Sequence, residues 1–161
     1  MTTIGVTGHQ ELPSRAISSI AGALRETLEA EAVRSHLAGV TSLAAGADQL
    51  FARAVIEADG ELIVIVPSAD YEETFTGNPV ALDEFQDLMT RAQIVDRLPF
   101  DRPSEEAFFA AGRRVVDRSE RLIAIWDGEP ARGLGGTADV VAYAKASGKE
   151  VIVVWPAGVK R

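Results

Sequence analysis

Three short glycine-bearing segments, each following an apolar run, carry the residue types that hold anions and sugars. In the longest, Gly133, Gly135 and Gly136 fall within four residues and lead into Thr137, Ala138 and Asp139. Adjacent glycines can turn successive N–H groups into one concavity, an anion nest. Thr137 suits both a helix cap and a hydroxyl donor to phosphate. A structural turn needs one glycine, so the segment from Asp127 onward points to a phosphate against Gly135, Gly136 and Thr137. In the first segment, Gly8 precedes His9 and Gln10. Gly8 permits close backbone approach, and the helix start beyond it offers N–H groups to an anion. The pattern is not GxGxxG and lacks a P-loop lysine, so a tight strand-to-helix turn explains it equally well. In the second, Gly46 and its alanine neighbours let a backbone or a ligand come close. Asp48, two residues on, either accepts ribose hydroxyls or complements a helix dipole.

Composition removes several other chemistries. The chain has 161 residues, 47% hydrophobic and 25% charged, as a globular domain does, and reads as one domain over residues 1–161 with no linker or repeat. It has no Cys, which excludes disulfide scaffolds, thiolate zinc and thiol catalysis and suits a reducing, cytoplasmic setting. His9 and His36 are too far apart in sequence to suggest a metal site, and no cofactor is expected. No apolar run approaches the roughly 20 residues of a membrane helix. The first ten residues lack the basic and apolar regions of a signal peptide. With 24 acidic and 16 basic residues the formal charge is −8, and no Lys/Arg block is present. The expected partner is therefore a small nucleotide-like ligand, not a nucleic-acid polymer or a membrane.

The elements that must position these segments alternate. Strands are expected at residues 4–8, 40–44, 62–66, 93–97 (weakly), 121–126 and 151–155, with helices between them. The third is continuously apolar, as a strand covered on both faces should be, and Pro67 ends it at a candidate ligand-binding position. Ile17, Ile20, Leu24 and Leu28 form one helical stripe after Pro13, and Gly60 is the expected stop of the second helix. Ser104 is placed as a helix N-cap, with Glu105 and Glu106 in the first turn. This alternation predicts an α/β fold: a Rossmann-like three-layer αβα sandwich with a mostly parallel central sheet. Ligands in such folds sit beyond the carboxyl ends of the strands, where the strand order reverses. The first and fifth strands would bring their loops together there.

The strings GVTGH, SLAAGAD, IVP and RLIAIWDG…GGTADVVAYAKASGK resemble the SLOG superfamily, which includes the LOG phosphoribohydrolases and DprA-like proteins. The resemblance implies a Rossmann-like fold, a nucleotide-type ligand under the Gly-Gly-Thr loop and a homodimer, for which the helix carrying Phe85, Leu88 and Met89 is a candidate surface. LOG enzymes release a base from a nucleoside 5′-monophosphate and carry PGGxGTxxE. Here the glutamate position, three residues after the Thr, is Val140. Arg113 and Arg114 match the LOG arginine loosely.

N-glycosidic hydrolysis needs a carboxylate to stabilise oxocarbenium charge or activate water. Asp139 and Asp48, with Arg113, are the candidate catalytic residues; the plainer role of Asp139 is that of a first-turn helix acid. Three functions stay open: binding or sensing of a nucleotide-like ligand, a LOG-type phosphoribohydrolase, and a protein-interaction adaptor.

Overall fold

The computed structural model describes residues 1–130 and 136–161. The elements are β1 (Thr2–Gly8), α1 (Ser14–Arg34), β2 (Leu37–Thr41), α2 (Ala47–Glu57), β3 (Glu61–Ser68), a 3-10 turn (Tyr71–Phe75), α3 (Pro79–Thr90), β4 (Ile94–Phe100), α4 (Glu105–Asp117), β5 (Arg121–Ile125), α5 (Thr137–Ala146) and β6 (Glu150–Val153). The strands form one sheet in the order β4-β3-β2-β1-β5-β6, and every pairing is parallel. The expected α/β fold is therefore the observed one. β1 is central, between β2 and β5, and the strand order reverses beside it.

Two apolar clusters hold the layers. Ile20, Leu24 and Leu28 of α1, Phe51 and Val55 of α2, and Phe85 and Leu88 of α3 pack on one face of the sheet. Ala111 and Val115 of α4 and Val140 and Ala144 of α5 pack on the other. Phe85 and Leu88, candidates for a dimer contact from the sequence, are thus buried in the chain's own core. Among the described residues no helix is long and apolar enough to cross a membrane.

Several boundaries differ from expectation for identifiable reasons. β2 spans residues 37–41 rather than 40–44, because its register against β1 pairs Thr2 with Leu37. Pro67 does not end β3. It sits where the pairing with β4 shifts register between Val66 and Ser68, a place that tolerates a residue without an N–H. β4 runs on through Pro99, which an edge strand allows. The left-handed residue after α2 is Asp59 (φ 58°), not Gly60. Ser104 caps α4 as expected, its Oγ accepting from the Ala107 N–H at 3.0 Å.

Candidate functional site

The three glycine segments meet at the carboxyl edge of β1, β2 and β5, where their backbones interlock. The His9 N–H donates to the Ile125 carbonyl at 3.2 Å, and the Ala47 N–H donates to the His9 carbonyl at 3.1 Å. Gly8 fits because a Cβ there would overlap that of Ala47 and lie 2.9 Å from the Ile125 oxygen. Gly46 has φ 79° and ψ −117°, a conformation open only to glycine, and packs on the Gln10 carbonyl. Its close approach is thus to backbone, and it faces a second groove between α1, α2 and α3.

Above this junction lies a cleft of about 430 Å3. Gly8, His9 and Gln10 line it from β1, Asp48 from the start of α2, and Pro67 from β3. Gly136, Thr137 and Val140 line it from α5. Tyr71, Phe75, Phe108 and Trp126 give it aromatic walls. Gly136 holds the N-cap position of α5 in extended backbone (φ −68°), with no side-chain cap. Thr137 is therefore the first helical residue rather than the cap. The N–H groups of Asp139 and Val140 close the first turn on the Gly136 carbonyl. Those of Thr137 and Ala138 have no partner within the helix, as at any helix start, and the positive end of the helix dipole faces the cleft. Gly135 lies outside the described residues.

Two ionisable side chains sit in the floor. Asp48 is 8% exposed, and its Oδ2 accepts from the Ala44 N–H at 3.2 Å. Burial pushes its carboxyl up to about 7, against hydrogen bonds from Ala44, Ser42 and Thr41 that favour the anion. Asp48 thus ties down the β2–α2 loop as well as facing the cleft. His9 is 7% exposed and meets the Trp155 ring edge-on at 5.5 Å. The Arg161 guanidinium donates to its Nδ1 at 2.8 Å. Asp127 meets Nε2 twice, with its Oδ1 at 3.1 Å and its backbone N–H at 3.3 Å. Burial alone would raise the Asp127 carboxyl, but the Glu129 N–H, His9 and Arg161 outweigh it and hold the group below its ordinary value. Asp127 is thereby part of the cleft's supporting structure.

Not every candidate is brought in. Arg113 stacks over the Phe109 ring at 5.0 Å and lines a separate shallow hollow with Leu98 and Tyr143. Asp139 is not among the described residues lining the cleft. Arg161 and Phe108 join the site without any signal in the sequence. Arg161 lies 152 positions from His9, and no local pattern announces such a contact. Tyr71 and Phe75 are visible in the sequence as aromatics in an irregular segment, but their wall is completed by Phe108 from α4.

The fold is the Rossmann-like one that the sequence predicts, and solved structures share it. Neither a protein-family model nor a curated protein matches the chain. Among solved structures, it is similar to DNA processing protein A from Streptococcus pneumoniae, at 20% identity and a TM-score of 0.72, covering 98% of this chain and 51% of that one. DNA processing protein A from Helicobacter pylori, whose structure concerns its single-stranded DNA binding mode, matches at 17% identity and a TM-score of 0.66, over 94% and 64%. The molybdenum cofactor binding protein from Rippkaea orientalis matches at 21% and 0.56, over 94% and 75%. The chain thus spans about half the length of the pneumococcal protein.

The second of these likenesses corrects the exclusion of a nucleic-acid polymer. A protein of this fold binds single-stranded DNA, and net charge is a poor guide to that. It sums the whole surface, whereas a strand is held in one groove, with bases stacked on aromatic rings.

Proposed function

We propose that the cleft binds a nucleotide or nucleotide-derived ligand, with residues 1–161 acting as one domain. The phosphate lies against the first turn of α5, and the base lies among the aromatic walls. The observation that carries this reading is the open N-terminal turn of α5 (Gly136 and Thr137) facing a cleft over the strand-order reversal. N–H groups without a helical partner and the helix dipole favour an anion there, and about 430 Å3 is within the range of small-ligand sites.

A thermal-shift screen with AMP, GMP, CMP, UMP, ADP-ribose, cyclic nucleotides and single-stranded oligonucleotides tests it, because a ligand that binds only the folded state raises the midpoint by mass action. Gly136→Val is the matching variant. At φ −68° and ψ 171° valine is accommodated without backbone strain, and the ligand-free midpoint reads any effect on the fold. The expected result is an unchanged midpoint without ligand and at least about a tenfold loss of affinity, the scale of one charge-assisted hydrogen bond. Wild-type affinity in this variant places the anion elsewhere.

One observation favours a second reading, hydrolysis of the N-glycosidic bond. Asp48 faces the cleft with its carboxyl raised to about 7, the range that suits a general acid or base. Against it, Val140 stands where LOG enzymes carry glutamate. We expect binding without turnover: AMP, CMP, GMP and UMP incubated with the protein release no base on chromatography. Turnover near 1 s⁻¹, ordinary for an enzyme, makes the hydrolase reading the correct one.

A further inference from the structure

Tyr71 is 4% exposed and lines the cleft, yet its hydroxyl has no hydrogen-bond partner among the described residues. The hydroxyl is not sealed from solvent, and the cleft is where it opens. Buried tyrosines normally pair that group. Nor can the ring turn to find a partner. Phe75, Phe85 and Phe108 surround it at centroid distances of 5.7, 5.6 and 6.4 Å, with interplanar angles of 73°, 76° and 66°. The phenol is therefore held rigidly, with its donor and its acceptor capacity turned to the cleft.

Its polar neighbour in the cleft is Asp48, whose charge acts on the Tyr71 hydroxyl. Asp48 is also more than nine-tenths buried, and the groups of its own loop that reach it, Ala44, Ser42 and Thr41, all donate to it. This wall belongs to the α2 side of the sheet, while the first turn of α5 belongs to the other side. Asp48 stands in the first turn of α2, which follows β2, and α5 begins beyond β5; β2 and β5 lie two strand spacings apart, or roughly 10 Å.

We infer that Tyr71, together with Asp48, binds the sugar hydroxyls of the ligand, so that the cleft selects ribose over sugars lacking the 2′ and 3′ hydroxyls. This rests on the proposed nucleotide reading and adds the specificity-determining group. An anion is disfavoured beside Asp48, whose carboxyl faces the cleft and already takes the Ala44 N–H. Vicinal hydroxyls, each a donor and an acceptor, match a phenol beside a carboxyl. A ribose 5-phosphate unit is long enough to reach from here to the α5 turn.

The test compares AMP with 2′,3′-dideoxy-AMP by calorimetry, on wild type and on Tyr71→Phe. Wild type is expected to bind AMP about tenfold more tightly, and Tyr71→Phe to lose about 3- to 10-fold for AMP alone, the worth of an ordinary hydrogen bond. Phenylalanine keeps the ring contacts, so its unliganded thermal midpoint should stay near wild type. The preference of wild type is read without any variant. Equal affinity for the two nucleotides, or a preference that Tyr71→Phe leaves intact, overturns the inference while the nucleotide reading stands. Absence of binding by both nucleotides and by every other nucleotide in the screen overturns both.

Discussion

Gly46→Ala is expected to destabilise the protein by about 3–5 kcal/mol, which is a large share of the roughly 5–15 kcal/mol that holds most domains folded. Two costs combine. A φ of 79° with ψ −117° is a region that L side chains enter only under strain, at about 1–3 kcal/mol. A Cβ would also overlap the Gln10 carbonyl oxygen and lie 2.7 Å from that of His9. Those are backbone atoms, so the β1–α1 loop must move and the Ala47–His9 hydrogen bond of 3.1 Å weakens with it. Gly77→Ala is the internal control. Gly77 also has positive φ (82°), but no described atom lies within 4 Å of its Cβ position, so it should lose only about 1 kcal/mol. Urea denaturation of both variants separates the contributions. Equal losses would mean that the junction yields easily and that only backbone strain matters.

Replacing Asp48 by Asn is expected to remove a pH dependence of up to about 4 kcal/mol. The carboxyl is raised from 3.8 to about 7 by burial, and each tenfold change in proton affinity is worth about 1.4 kcal/mol. Because the folded value is the higher one, the folded chain binds the extra proton between about pH 4 and pH 7. Stability from this group is fully present below the unfolded value and is lost as pH rises through the folded one. Wild type should therefore decline relative to Asp48→Asn from about pH 4 to pH 7 and run parallel to it above. Asp127 acts oppositely. Its carboxyl is held down by its partners, so its contribution is lost only on acidification below about pH 4. Urea midpoints at about pH 4.5, 5.5, 6.5 and 7.5 for the two proteins measure the difference across the window that linkage sets. A constant gap across that range would show that Asp48 titrates as an ordinary surface acid.

The two results bear on function through the same residues. Gly46 fixes where the β1–α1 loop lies, and that loop supplies His9 and Gln10 to the cleft. Asp48 anchors the β2–α2 loop and also faces the ligand space, so its burial serves both the loop and the site.

The alternation of elements was legible in the sequence because it rests on local periodicity. The continuous apolar run of residues 62–66 could only be a strand covered on both faces, and Ile20, Leu24 and Leu28 could only be one helix stripe. The positions of the strand-end loops followed, and with them Gly8, Asp48, Gly136 and Thr137 at one cleft. Local signals failed where register or tertiary contact decides. The bounds of β2 depend on its pairing with β1, and the passage of β3 through Pro67 depends on the shift against β4. Gly136 takes the cap position of α5, and Thr137, whose side chain suits a cap, becomes the first residue inside the helix. Tertiary structure alone made Asp48 a buried acid. It alone brought Arg161 to His9, and fixed the Tyr71 ring among three others with its hydroxyl open to the cleft. Burial and long-range pairing set those outcomes, and neither leaves a mark in the spacing of residues along the chain.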